Sequence, residues 1–386
     1  MTRSLGLVYI ASFGAMTSFY LMLGITPLYA LEHGYGAFSA SITTTIFMVA
    51  TVVAELATNL VMRRIGQQAT LAVGVLLLAL PAFVLVLSSD LSVILVVSAV
   101  RGVGFALVII AGAAMVASLA DPAKQGEAMG VFGVVVGIPG IIGLPFGVWL
   151  VEHIGFAPLF IISGSAAAVG LVVVVLRIHL PRPDEIHGLL RTLRTGEVLG
   201  LAIVFLATTV SAGVFITWLP VAAGERFGST LAAVGLLAYG LAGTLTRWLA
   251  GRFGDRRNAR VLILPALVLI TASLGFTAFV PQLLIVGALL FGAGFGALQN
   301  VVLQLMFRRV GPSGYGSASA IWNVAFDLGL GVGAFLFGAL SAGFALALWV
   351  AGLIVGVTAL IIAAQIASRA LSRRDGSSAS SQQTPG

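Results

Sequence analysis

Residues 102–147 of the chain align without a gap to residues 292–337, so that Gly102, Gly104, Phe105, Pro122, Gly126, Ala128 and Gly143 recur 190 positions later as Gly292, Gly294, Phe295, Pro312, Gly316, Ala318 and Gly333. The repeat lies inside a sequence that is 59% hydrophobic and only 9% charged. Two homologous units in so apolar a chain predict two membrane bundles about a shared centre, the plan on which secondary transporters are built.

An apolar segment of about 20 residues crosses a hydrocarbon core roughly 30 Å thick. Twelve such segments are predicted, over 4–30, 38–62, 69–89, 91–118, 127–151, 157–177, 198–223, 230–250, 260–280, 282–307, 316–341 and 343–369. They are continuously apolar, whereas barrel strands alternate apolar and polar, so the expected fold is an all-α membrane protein. The first apolar stretch merges into the first span, and no cleavable signal peptide is expected. Cysteine is absent, which removes disulfide, iron–sulfur and thiol chemistry. His33, His153, His179 and His187 all fall in predicted loops, so neither a buried metal site nor a cofactor is expected.

Basic residues set the orientation. Arg3, Arg63, Arg64, Lys124, Arg177, Arg182, Arg191, Arg194, Arg252, Arg256, Arg257, Arg260, Arg308, Arg309, Arg369, Arg373 and Arg374 fall on one side, and Arg226 falls on the other. Both termini are therefore expected in the cytoplasm. The net charge of +7 reflects this topology and implies no nucleic-acid partner. The organisation predicted is a six-helix bundle over 1–178, a cytoplasmic linker over 179–197, a second bundle over 198–371 and a disordered polar tail over 372–386. In the linker, Ile186, Leu189, Leu190 and Leu193 recur at helical spacing beside Arg191 and Arg194, as in a short helix lying on the inner leaflet.

Two segments carry charge near span ends: GRFGDRRNAR with Gly251, Asp255 and Arg256, and ELATNLVMRRIG with Glu55, Asn59, Arg63, Arg64 and Gly66. With two six-helix halves, cytoplasmic termini and a cytoplasmic central loop, the chain resembles the major facilitator superfamily over nearly its whole length. That family carries a Gly-x-x-x-Asp-Arg-x-Gly signature after its second helix, often repeated after its eighth. The later segment matches it, with Asn258 in place of the usual glycine, and Arg247 matches a frequent extension of the pattern. In the earlier segment acid and base have changed places: Glu55 precedes Arg63 by eight residues, as Arg247 precedes Asp255. The resemblance implies that both segments gate the cytoplasmic ends of neighbouring helices through charge-assisted hydrogen bonds. The alternative is that Arg63 and Arg64 simply anchor a helix end at an anionic leaflet.

The stretch SASAIWNVAFDLGLGVGAFLFG is similar to one in bacterial facilitators known as sugar-efflux or drug-efflux permeases. It places Asn323 and Asp327 on one helix face, with Asp327 about 15 Å inside the membrane. An ionised carboxylate is costly there, which makes Asp327 the first candidate for proton coupling. Glu55 is the second, and the family architecture packs its helix against that of Asp327. A structural acid paired with an arginine is the competing reading for each. Arg101 lies near mid-membrane before the glycines of RGVGFA and is suited to an anionic substrate or to holding a coupling carboxylate charged, with a purely structural ion pair as the alternative; Arg247 is a second buried charge partner. The family's arginine in this helix stands three residues earlier, where this chain has Ser98.

The resemblance makes the first, fourth, seventh and tenth helices the cavity lining. Their polar and aromatic residues are few: Thr17, Tyr20, Thr26, Thr209, Trp218, Gln299, Asn300 and Gln304. With Asn323, such a lining favours an amphiphilic or modestly polar substrate. The fifth span, with Gly137, Gly140, Gly143 and Gly147 around Pro139 and Pro145, is loosely similar to a glycine- and proline-rich signature of antiporters. No histidine or activated nucleophile lies within the membrane and no phosphate-binding loop is present, so neither an enzyme nor an ATP-driven pump is expected. The expected protein is a monomeric, proton-driven exporter of small organic molecules in a bacterial-type cytoplasmic membrane, with the bilayer and its substrate as partners. A proton-coupled uptake symporter and a non-transporting sensor on the same fold are the alternatives.

Overall fold

A computed structural model describes residues 3–121, 125–175, 196–256, 258–310, 315–340 and 345–380. Pro27 has no N–H to give the carbonyl of Leu23, and the first span breaks there: α1 (Arg3–Leu23) ends just before Gly24, and α2 (Ile25–Glu32) completes the crossing. The helices that follow in the first half are α3 (Ala37–Ile65), α4 (Gln67–Leu87), α5 (Leu91–Leu119), α6 (Gln125–Ile154) and α7 (Phe156–Ala168). The second half holds α8 (Gly196–Trp218), α9 (Ser229–Arg256), α10 (Ile263–Phe279), α11 (Leu284–Val310), α12 (Tyr315–Ala339) and α13 (Leu346–Ser380). No strand occurs among the described residues. Gly66 joins α3 to α4 alone, at φ +88, a conformation that residues with a Cβ rarely adopt.

Eleven spans in the described residues are long and apolar enough to cross a membrane, α1 and α2 counting as one. The twelfth, expected over 157–177, differs: α7 passes at Val169 into a tighter 3-10 helix that reaches Val175. Gly170 and the run of β-branched valines there are poor α-helix formers. A second difference concerns the tail, because α13 continues to Ser380, nine residues into the stretch expected to be disordered. Extending an existing helix needs no new nucleus. The inner-leaflet helix expected around Ile186, Leu189, Leu190 and Leu193 lies outside the described residues.

Glycines fix how closely the helices approach, and they do so twice. A Cβ on Gly102 of α5 would run into the backbone oxygen of Phe47 in α3, and one on Gly292 of α11 into that of Tyr239 in α9. A Cβ on Gly104 would meet the Gly74 oxygen at 2.8 Å, and one on Gly294 the Ala266 oxygen at 2.7 Å. Small residues at such crossings let backbones pack without a hydrophobic drive between helices. Large side chains such as Phe279, Leu353 and Leu360 are 76%, 66% and 71% exposed, a surface suited to lipid. The halves meet where α3 packs on α12 and α6 on α9.

Candidate functional site

The contact of α3 with α12 is pinned at one end by aromatic and small residues. Phe38 and Phe335 lie with ring centroids 5.8 Å apart, Ser41 fills the space beside Gly338, and the Thr45 hydroxyl donates to the Gly331 carbonyl at 3.2 Å. Nearly three turns further along α3 from Thr45, the face toward α12 carries Glu55, and α12 opposes it with Asp327. Both are buried, 7% and 4% exposed, and their carboxyls lie close enough to influence each other. An ionised carboxylate only accepts, so a hydrogen bond between the two needs a proton on one of them. Among the described residues neither acid pairs with an arginine, and Glu55 Oε2 has no partner. The two residues singled out separately in the sequence thus form one site at the junction of the halves.

Arg101 differs from expectation. It is 2% exposed and joins helices rather than carboxylates: its guanidinium donates to the Leu78 carbonyl of α4, and to the Ser18 carbonyl and hydroxyl of α1 at 3.1 and 3.3 Å. Ser18 in turn meets the Ser163 hydroxyl of α7 at 2.9 Å. No carboxylate pairs with Arg101 among the described residues. A planar cation with five donors is suited to gathering carbonyls from several helices. The residue also lines a small pocket, together with Phe19, Thr26, Thr43, Phe47 and Ser98.

Arg247 of α9 is exposed although it lies within a membrane span. Its guanidinium donates to Gln299 Oε1 at 3.3 Å and lies 5.9 Å from the centre of the Trp322 ring. Its field reaches the Tyr20 hydroxyl of the opposite half, as does that of Asp327. The guanidinium is thus within electrostatic reach of the opposite half. Trp322, which sequence reasoning passed over, is held by stacking on Phe205 at 4.8 Å and Phe326 at 5.4 Å and by donating to the Gln299 carbonyl at 3.2 Å. Its place in the same short stretch as Asp327 is the signal that could have found it.

Other cavity candidates divide. Thr26 lines the same pocket as Arg101, Tyr20 packs over Gly140 and Gly143 of α6, and Asn323 is half-buried one turn before Asp327. Trp218, by contrast, is fully buried and stacks on Phe215. Asn300 also turns away, lying against Gly251 of α9. Gln304 Nε2 donates to the Gly251 carbonyl at 3.2 Å, and Arg308 to that of Gly254, so α11 holds the backbone of the charged segment at the end of α9. Glu197 closes this end of the second half against Arg260 and Arg309. The backbones of Asp255 and Arg256 end α9, and their side chains lie outside the described residues. In the first half, Asn59 is half-buried, Arg63 and Arg64 are exposed in the last turn of α3, and Gly66 makes the turn. No cluster of metal-ligating residues occurs among the described residues.

The glycine crossings also set the register of the duplication. Phe47 answers to Tyr239 and Gly74 to Ala266, each 192 positions later, so Glu55 of α3 and Arg247 of α9 stand at equivalent places, as do Arg63 and Asp255. The charge exchange read in the sequence is therefore an exchange between structurally matching positions.

A duplicated helical membrane protein with charged residues buried where its halves meet has the architecture that the family resemblance implies. The chain belongs to the Major Facilitator Superfamily, whose family model matches residues 8–334. It is 27% identical over 249 residues to a probable sugar efflux transporter of Helicobacter pylori, covering 59% of this chain and 60% of that one. It is 23% identical over 337 residues to the riboflavin transporter RibZ of Clostridioides difficile, covering 69% and 73%. The chain thus spans about 60% of the length of the sugar efflux relatives it matches. A crystal structure of a mutant nucleoside transporter, NupG, superposes with a TM-score of 0.71 at 14% identity over 95% of this chain and 99% of that one, a likeness of fold alone.

Proposed function

We propose that this transporter is a proton-driven exporter of small organic molecules, working by alternating access in a bacterial-type cytoplasmic membrane with both termini inside. The observation that carries the reading is the buried pair of Glu55 and Asp327, brought together across the contact of α3 with α12. With a proton between them the acids tie the halves together. Without it, two carboxylates face each other in a medium of low dielectric, and their repulsion favours parting. Substrate arriving from the cytoplasm completes the cycle by binding while the pair is charged, and protonation from outside resets it. The segments ending in Arg63 and Asp255 act as the cytoplasmic latch, and the names of the sugar efflux relatives favour export over uptake.

The test is proton movement in proteoliposomes carrying the full chain, with sugars and amphiphilic compounds added in turn. A compound that releases protons through the wild type but not through Asp327→Asn supports antiport at this pair. Coupling that survives in Asp327→Asn and in Glu55→Gln sinks it.

A further inference from the structure

The duplication builds the contact between halves twice, but with different chemistry on each side. On one side Met48 of α3 lies beside Gly331 of α12, and on the other Gly240 of α9 lies beside Ile141 of α6. These are the same pair in the two repeats, since 48 answers to 240 and 331 to 141. The register that brings Glu55 to Asp327 therefore sets Arg247 of α9 opposite Gly137 of α6. A Cβ on Gly137 would meet no atom within 4 Å, so that place is open, and Tyr20, which feels the field of Arg247, packs one turn away over Gly140.

We infer that the α6–α9 side of the cavity is a binding site for the acidic group of a flat aromatic substrate, with Arg247 as the anion-binding residue, Trp322 as the stacking face and the space over Gly137 as the room it occupies. This rests on the transport reading above and names the substrate class for it. Arg247 spends one donor on Gln299 and pairs with no carboxylate among the described residues, which leaves most of its fork free. A guanidinium binds a carboxylate through two parallel hydrogen bonds and also stacks on flat rings. Trp322 is fixed by Phe205, Phe326 and the Gln299 carbonyl, so a ring laid on it loses little to rearrangement. Gln299 serves both groups at once, its side chain on Arg247 and its carbonyl on Trp322, and it sets their spacing.

The test is equilibrium binding to the purified full chain of 2-naphthoate, indole-3-acetate and 4-hydroxybenzoate, each against its own carboxamide, at a pH where the acids are ionised. The expected result is a preference for at least one acid over its amide of roughly tenfold or more, the worth of a charge-assisted hydrogen bond. Arg247→Gln should abolish that preference, and Arg247→Lys should keep part of it. Gly137→Leu, which fills the space without touching the charge, should weaken acid and amide alike. Thermal unfolding of each variant separates lost binding from lost fold. Absence of any preference across the panel, or a preference that survives Arg247→Gln in folded protein, overturns the inference. Proton release by neutral compounds with no preference for acids leaves the exporter reading standing without this site. Acid-selective binding with no proton movement does the reverse.

Discussion

Glu55 and Asp327, 272 positions apart in the chain, lie together and buried at the junction of the two halves, where a hydrogen bond between them needs a proton on one of the two. An amide in place of either acid still donates a hydrogen bond but has no proton to release. Asp327→Asn and Glu55→Gln should therefore fold and insert normally while proton-coupled flux falls by about 10² or more, the scale of a lost acid–base group. Dye-reported pH gradients in vesicles measure this, and wild-type flux in both variants refutes it.

The paired glycine crossings make a sign prediction. In a helix, replacing glycine by alanine is ordinarily worth roughly 0.5–1 kcal/mol, and Gly130→Ala and Gly133→Ala on α6 should show that gain because nothing lies within 4 Å. Gly102→Val and Gly292→Val should instead each lose about 1–3 kcal/mol, since the added atoms meet backbone. Unfolding in detergent reads both. Equal effects at crossing and open positions would mean that the crossings are not tight.

Arg101 holds α5 to α1 and α4, so its loss should register in stability before transport. Arg101→Lys keeps the charge but cannot span both carbonyls, and it should cost about 1–3 kcal/mol while protons moved per substrate stay as in the wild type. A changed ratio with unchanged stability would return Arg101 to the coupling machinery.

The proposed alternating access requires the contact between Phe38 and Phe335 to open in each cycle. The chain has no cysteine, so Phe38→Cys with Phe335→Cys places the only thiols in the protein. Joining them with a short reducible linker should stop transport, and reduction should restore it. Undiminished transport while linked would show that this end does not open.

Much of this was legible beforehand because the duplication and the apolar blocks are properties of the chain itself. Pro27 marks the break at Gly24 through its missing donor. The facing of Glu55 and Asp327 was accessible only through the family architecture, since periodicity within one helix says nothing of its partner. Direction was the harder matter. Gln299 and Asn300 are neighbours in sequence but project about 100° apart on the helix, so one reaches Arg247 and the other lies on Gly251. Trp218 read as a cavity aromatic because its helix was right, yet it stacks inward on Phe215. Arg101 was read as suited to an anionic substrate or a coupling carboxylate, and what it meets within the protein are main-chain oxygens and the Ser18 hydroxyl, partners that leave no trace in a sequence.

The matching of Glu55 with Arg247 and of Asp327 with Gly137 bears on how such a protein came to be one chain. A symmetric dimer of two first halves would set each Glu55 against a glycine, and a dimer of two second halves would set each Arg247 against an aspartate as an ordinary ion pair. Neither homodimer brings acid to acid or leaves a cation facing open space. Both arrangements arise only when unlike halves are joined, so fusion lets one flank of the molecule diverge from the other, which a symmetric dimer can never do.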